Sequence, residues 1–215
     1  MTEESKNKTP LFLFDFDGVI VDSLDEATTT FNAFFNSLGL ANVTKKQSRD
    51  LYTNNVYDSL LDHGVKEDQF HLLLEMIEKR NKYGNKKVKL YANVGRLLEV
   101  LKDYNLYVIT SSSTKAVKTF LRKKDLLIYF KDVLGADKGI SKVDKIQAIL
   151  KKEKADSQQT YFVTDTTGDL IEAKTAGVKT IAVGWGYHNT ERLKKENPDI
   201  IFESIDEFIK AIPGL

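Results

Sequence analysis

From Leu11 to Phe14 every position is apolar, and the polarity then switches at once to Asp15 and Asp17, with Gly18 behind them. A strand covered on both faces carries no alternation, so this run predicts an interior strand of a parallel sheet. Past Ser23 the period lengthens. Leu24, Ala27, Phe31, Phe34, Phe35 and Leu38 recur three and four apart and stop at Gly39, which predicts a helix. A second helical segment carries Leu51, Tyr52, Val56, Leu60 and Leu61 up to Gly64. A third holds Phe70, Leu73, Leu74 and Ile77 and decays into the polar NKYGNKKVK stretch. No strand in this region is long enough to join a sheet, so these three helices are expected to form a separate small unit.

Beyond it, strands and helices alternate regularly. Asn93 would cap a helix over VGRLLEVLKDY, and LYVIT, Leu106 to Thr110, reads as a strand. A basic helix follows with Val117, Phe120 and Leu121 inward, then a short strand between Phe130 and Leu134. Ser141 would cap KVDKIQAILKK. TYFVT, Thr160 to Thr164, is the next strand, and DLIEAKTAG the next helix, closed by Gly177. TIAV, Thr180 to Val183, continues the series, and Ser204 with Glu207 makes a capping box for SIDEFIKAI. Such alternation predicts an α/β fold with a doubly wound parallel sheet, its chemistry gathered at the carboxyl ends of the strands. Asp15, Thr110 and Asp165 all fall there.

Composition narrows the partners. At 215 residues the chain can bury one α/β core and a modest insertion. Lys plus Arg total 32 against 31 Asp plus Glu, so no broad positive field exists to collect nucleic acid or an acidic membrane. The local basic runs, Lys86, Lys87 and Lys89, and Lys115, Lys118, Arg122, Lys123 and Lys124, read as solvated faces. Cysteine is absent, which removes disulfides and thiolate metal sites. MTEESKNKTP is polar and reads as a short disordered tail rather than a signal peptide. No apolar run approaches the roughly 18 residues that span a bilayer. A cytoplasmic protein is expected, a monomer or weak homodimer, with no membrane and no nucleic-acid partner.

The candidate chemistry lies at the strand ends. Asp15 and Asp17 leave the first strand where its period would put both on one side, and two like charges so close require a shared cation or proton. VITSSS sets Thr110 and Ser111 where a hydroxyl and backbone N–H groups can hold a phosphate oxygen. Lys142 opens a helix, and a cation there opposes the macrodipole, so anionic company is expected; Lys145, one turn on, and Lys138 are rivals for the same role. FVTDTTGDL presents Asp165 and Asp169 at a strand-to-helix junction. Each element alone is turn or cap chemistry. Together they put four carboxylates at two strand ends, which calls for a hard divalent cation, and Mg²⁺ keeps waters and binds phosphate. His63, His71 and His188 do not group, and His188 is expected to play a structural part with Trp185 and Tyr187.

The string LFLFDFDGVIVDS resembles the first motif of the haloacid dehalogenase-like phosphohydrolases. The order D-x-D, Thr/Ser, Lys, D-xxx-D along alternating strands is similar to all four motifs of that superfamily, and the helical unit resembles its inserted cap. The resemblance implies a Rossmann-like core over residues 1–22 and 89–215 and a helical cap over 23–88. It implies Asp15 as nucleophile, Asp17 as general acid and base, and Thr110 and Lys142 as stabilisers of the transferring oxygens. Mg²⁺ would be held by Asp15, the backbone carbonyl of Asp17 and Asp165, with Asp169, Ser111 and Gly18 in support. An acid at Asp17 is what the family's phosphatases have and its dehalogenases lack, so the expected activity is hydrolysis of a small phosphorylated metabolite, of the phosphoglycolate or sugar phosphate type, through an aspartyl-phosphate.

Two positions depart from the family's pattern. Thr164 stands where Gly usually precedes the last motif, and Val143 stands where Pro usually follows the lysine. A phosphosugar mutase of the β-phosphoglucomutase type shares all four motifs, and Arg49 of the cap could suit its second phosphate. A catalytically weak binding module is the non-enzyme alternative. A phosphorylated signalling receiver is disfavoured by the DxDG on the first strand and by the helical insertion.

Overall fold

The computed structural model describes residues 9–82, 88–139 and 141–215. The N-terminal tail and the Lys86, Lys87 pair lie outside them. Six strands form the main sheet: β1 (Leu11–Phe14), β4 (Asn105–Ile109), β5 (Asp132–Leu134), β6 (Thr160–Thr164), β7 (Lys179–Val183) and β8 (Ile200–Phe202). Their spatial order is β5-β4-β1-β6-β7-β8, and every neighbouring pair is parallel. The central strand, β1, therefore sits where the winding reverses. Such a switch point opens a crevice beyond the carboxyl ends of the strands, and Asp15 follows β1 directly into it.

The uniform apolarity of β1 has its expected cause. Phe12 and Phe14 face one side, packing with Val108, Val163 and the helix residues Val117, Leu121 and Phe208. Leu11 and Leu13 face the other, with Ile109, Phe162, Ile146 and Ile149. All four strand side chains are buried, and each contributes roughly 1.5–3 kcal/mol relative to exposure. The helices that cover the two faces are α5 (Val94–Val100), α6 (Thr114–Lys123), α7 (Lys142–Glu153), α8 (Thr167–Thr175) and α10 (Ile205–Ala211), with the short α9 (Thr190–Lys194) after β7. Among the described residues no helix is long and apolar enough to cross a membrane.

The segment between β1 and α5 holds α1 (Leu24–Ser37), α2 (Lys45–Asp50), α3 (Val56–Asp62) and α4 (Phe70–Lys82). These helices share a hydrophobic cluster of their own, centred on Phe31, Phe34, Phe35, Tyr57, Leu60 and Leu73. A two-stranded antiparallel ribbon, β2 (Val21–Asp22) with β3 (Lys89–Leu90), joins the chain on either side of them.

Several local expectations are revised. The second helical segment narrows to α3, with Leu51 and Tyr52 in the turn before it, and α2 precedes it unannounced because polar KKQSRD shows no apolar period; α2 starts on a capping box in which Thr44 accepts from the Gln47 amide and Gln47 accepts from the Thr44 amide. Asn93 precedes α5 in a left-handed conformation, φ 67°, and its side chain caps nothing; it donates to Asp206 instead. Ser204 accepts from the Glu207 amide, but Glu207 accepts from Glu203 rather than closing the box. The strand β8 and the helix α9 are additions to the sequence reading. Ser141 caps α7 as expected, accepting from the Asp144 amide at 3.2 Å.

Candidate active site

Asp15 is the first residue past β1, tied to the sheet by its amide, which donates to Val163 O at 2.9 Å. Its side chain is buried, with Oδ1 accepting from the Phe16 amide at 2.8 Å and lying 3.1 Å from Lys142 Nζ. Lys142 reaches across from the first turn of α7 and donates to Asp169 Oδ2 at 2.6 Å. The structure thus brings Lys142, rather than Lys145, against the carboxylates. Lys145 Nζ donates to Thr110 O at 2.9 Å from just beneath, and Lys138 is exposed. The company expected of a cation at a helix start is therefore Asp15 and Asp169.

The electrostatics follow from burial opposed by pairing. Burial alone would lower Lys142, but Asp15 and Asp169 more than reverse this and hold it above the usual lysine range. Burial raises Asp169, and Lys142 overrides it, so the net shift is downward. Asp15 is pushed well up by burial, only partly opposed by Lys142 and reinforced by the charge of Asp169. Lys145 is drawn down to about 8 by burial, with Lys142 adding to the shift.

Asp17 occupies a different environment. Its Oδ1 accepts from Ser23 Oγ at 2.6 Å and its Oδ2 from Ser112 Oγ at 2.8 Å, and Ser23 Oγ is also 2.8 Å from Tyr187 Oη. Ser23 and Ser112 escaped the sequence reading. Ser23 stands at the start of α1 like an ordinary cap, yet it makes no cap hydrogen bond and is turned to Asp17. Thr110 is buried at the end of β4, and its Oγ1 accepts from the Ser112 amide at 3.0 Å, closing the turn; Ser111 lines the same cavity.

Asp165 follows β6 and is fully buried. Its Oδ2 accepts from the Tyr187 amide at 2.6 Å, whereas Oδ1 has no hydrogen-bond partner. Burial pushes this carboxyl up to about 8. Two backbone segments crowd it: a Cβ on Gly18, whose φ is +82°, would lie 1.9 Å from Asp165 Oδ2, and one on Gly186 would lie 2.3 Å from Asp165 Cβ. Gly186 was hidden in the sequence because only the fold brings its turn against Asp165. Among the described residues no group of three or more His, Asp and Glu side chains is placed to hold a metal ion. Mg²⁺ does not require such a group, since it binds through one or two carboxylates and keeps water on its remaining positions. The orphaned buried oxygen of Asp165, close to a second carboxylate at Asp15, fits such a cation.

The two departures have defined consequences. Thr164 is buried and turned toward Asp169, donating to its Oδ2 at 2.8 Å. Val143 packs at the edge of the apolar cluster around Leu13 and Phe162.

The loop between α2 and α3 seats on the core at one edge of the site. Thr167 Oγ1 donates to Thr53 O at 2.9 Å, the Gly168 amide to Tyr52 O at 3.2 Å, and Arg192 Nη1 to Asp50 at 2.7 Å. His188 is buried in this seam. Its Nδ1 accepts from the Thr167 amide at 3.0 Å, which leaves Nε2–H to donate to Arg49 O at 3.0 Å. The Arg49 side chain is exposed and does not line the cavity. His71 is exposed, and His63 lies against the Phe35 ring at 4.3 Å.

With this geometry in place, the model of the haloacid dehalogenase-like hydrolase family matches residues 12–183. The chain belongs to that family. Members similar to it include the phosphoglycolate phosphatase of Vibrio parahaemolyticus, 25% identical, with 94% of this chain and 95% of that protein covered. A Dickeya dadantii protein named "Probable phosphatase IndB" is 28% identical, over 96% of this chain and 94% of its own length. Among solved structures, a predicted phosphatase of Clostridium acetobutylicum superposes with a TM-score of 0.81 at 25% identity, covering 97% of this chain and all of that one. In this haloacid dehalogenase-like hydrolase, Asp15, Thr110 and Asp165 follow β1, β4 and β6 and Lys142 opens α7, the elements that meet at the switch point.

Proposed function

We propose that this hydrolase is a phosphatase of small phosphate monoesters, of the phosphoglycolate or sugar phosphate type, working through a phosphoryl group carried transiently on Asp15. The reading is carried by one observation: a buried carboxylate at a strand end is held by a backbone amide and a lysine, while a second carboxylate two residues on is gripped by two serine hydroxyls. With Oδ1 held by the Phe16 amide, Asp15 would attack phosphorus through Oδ2. Asp17, fixed by Ser23 and Ser112, would give its proton to the leaving alcohol and later take one from the hydrolytic water. Lys142 would balance charge on the transferring oxygens while orienting Asp15, and Thr110 and Ser111 would supply hydrogen bonds to the same group. Asp169 would hold Lys142 in place.

Mg²⁺ is the proposed cofactor, held by Asp15, the Asp17 carbonyl and Asp165, with Gly18 allowing the backbone to approach. Bound there, it would neutralise the charge that two carboxylates and a phosphoryl group bring together. Residues 23–88 would serve as the cap that closes over the leaving group and excludes water. The reading is supported by the names of the relatives and by the absence of any cap arginine on the cavity wall among the described residues, where a mutase would hold a second phosphate. The purified chain with Mg²⁺ should hydrolyse an aryl phosphate, and Asp15→Asn should abolish turnover. Equal rates for the two proteins would overturn the assignment.

A further inference from the structure

The cavity beyond Asp15 is walled from two sides. Its floor carries Asp15, Asp17, Asp169 and Lys142, from the end of β1 and the first turns of α7 and α8. Its roof comes from the helical segment, where Tyr57, near the start of α3, stands among Phe31, Val56 and Leu73. Tyr57 is only 3% exposed, yet its hydroxyl bonds to no described residue. The hydroxyl lies within the field of the Lys142 ammonium, which places it over the floor. The ring is well fixed there. The Tyr57 amide donates to Asn55 Oδ1 at 3.0 Å, and the ring meets Phe70 edge to face at 5.1 Å. Asn55 Nδ2 donates in turn to Glu172 Oε1 at 3.2 Å, and the same oxygen accepts from the Lys142 amide at 2.9 Å. One carboxylate oxygen of α8 thus pins the start of α3 to the start of α7.

A buried hydroxyl nearly always has a hydrogen-bond partner, because leaving one unmet is costly. A phenylalanine would pack against Phe70 equally well, so the oxygen of Tyr57 serves something other than the fold. Burial pushes the phenol up to about 12, and it keeps its proton as a donor. The geometry of phosphoryl transfer says where its acceptor would be. Attacking and leaving oxygens lie roughly in line through phosphorus. With Asp15 attacking from the floor, the leaving group departs toward the roof, whereas the phosphoryl oxygens fall to Lys142, Thr110 and Ser111.

We propose that Tyr57 is a specificity-determining residue whose hydroxyl donates to an oxygen on the leaving group, so that phosphate esters of hydroxylated or carboxylated alcohols are preferred over plain alkyl esters. This rests on the phosphatase reading and selects among its substrates. The test measures kcat/KM of the purified chain and of Tyr57→Phe with Mg²⁺ on 2-phosphoglycolate, 2-hydroxyethyl phosphate and glycerol 3-phosphate. Each is set against ethyl phosphate, with phenyl phosphate as reference. The parent should prefer at least one oxygen-bearing ester over ethyl phosphate by about tenfold or more, and Tyr57→Phe should remove most of that preference, chiefly through KM. A preference that survives in the variant, or none in a parent that cleaves phenyl phosphate, overturns this proposal and leaves the phosphatase reading standing. No cleavage of any of the five esters by the parent ends both.

Two measurements separate recognition from support of the fold. Tyr57→Phe keeps the ring and removes an oxygen that bonds to no described residue, so its urea midpoint should equal or exceed that of the parent. A lower midpoint would make the hydroxyl structural and overturn the proposal. Inorganic phosphate should inhibit parent and variant equally. Inhibition weakened in the variant by the factor of the lost preference would put the contact on the phosphoryl group, and would overturn the proposal as well.

Discussion

The floor and the roof of the cavity are built by opposite rules. The floor of the cavity gathers Asp15, Asp17, Asp169 and Lys142, brought together from the end of β1 and the first turns of α7 and α8. The roof, from the helical segment, mixes Phe31, Val56, Leu73 and Ile77 with Tyr52, Asn54, Asn55 and Tyr57, and its apolar side chains also belong to the cluster that holds α1, α3 and α4 together. A floor residue has one partner set and little freedom to change without loss of chemistry. A roof residue can change size or polarity while its helix persists.

The comparison breaks most sharply at Lys142. Lys142→Met removes the cation that joins Asp15 to Asp169, and leaving the two carboxylates buried without it should cost about 3 kcal/mol or more of stability. Activity should fall about 10²–10³-fold. Denaturant melts and steady-state kinetics on the same preparation check both; a variant as stable and active as the parent would mean that the floor is not organised by this charge. Next in size is Gly186→Ala. Its Cβ would meet Asp165 at 2.3 Å, so Mg²⁺ affinity should weaken by about 10–100-fold, read by titrating Mg²⁺ against activity and by calorimetry of Mg²⁺ binding. An unaltered affinity would remove Asp165 from the cation site.

The smallest effect belongs to the seam between floor and roof. Burial lowers His188 to about 4 from the unfolded value of 6.5, with its contact to Arg49 O opposing. Between those values the unfolded chain binds the extra proton, so the neutral imidazole's contribution is complete above about pH 6.5 and is lost as the pH falls toward 4. The span corresponds to at most about 3 kcal/mol. Urea midpoints at pH 7 and pH 4.5 should therefore separate further for the parent than for His188→Gln. Identical pH dependence would show that the seam does not need the imidazole.

The floor was legible in the sequence because its residues obey a positional rule. Asp15, Thr110 and Asp165 are far apart along the chain, yet each ends a strand, and parallel strands place their ends together. Lys142 was legible for a related reason: a cation at a helix start requires anions nearby. Ser23, Ser112 and Gly186 were not, since each reads as a common cap or turn residue and its role depends on a neighbour supplied by another segment. The helix α2 was lost because it has no apolar period, although the spacing of Thr44 and Gln47 carried a capping signal. Thr164 was a visible departure whose effect was not readable; only the fold shows its hydroxyl turned to Asp169.

The central claim is that Asp15, and not Asp17, carries the phosphoryl group. Rapid acid quench of the enzyme during turnover of an aryl phosphate, followed by borohydride reduction and peptide mass analysis, reads this directly, because reduction converts an aspartyl-phosphate to homoserine. The account predicts homoserine at position 15 with aspartate retained at position 17. Homoserine at 17, or at neither position in an enzyme that is turning over under conditions where the intermediate accumulates, would contradict it.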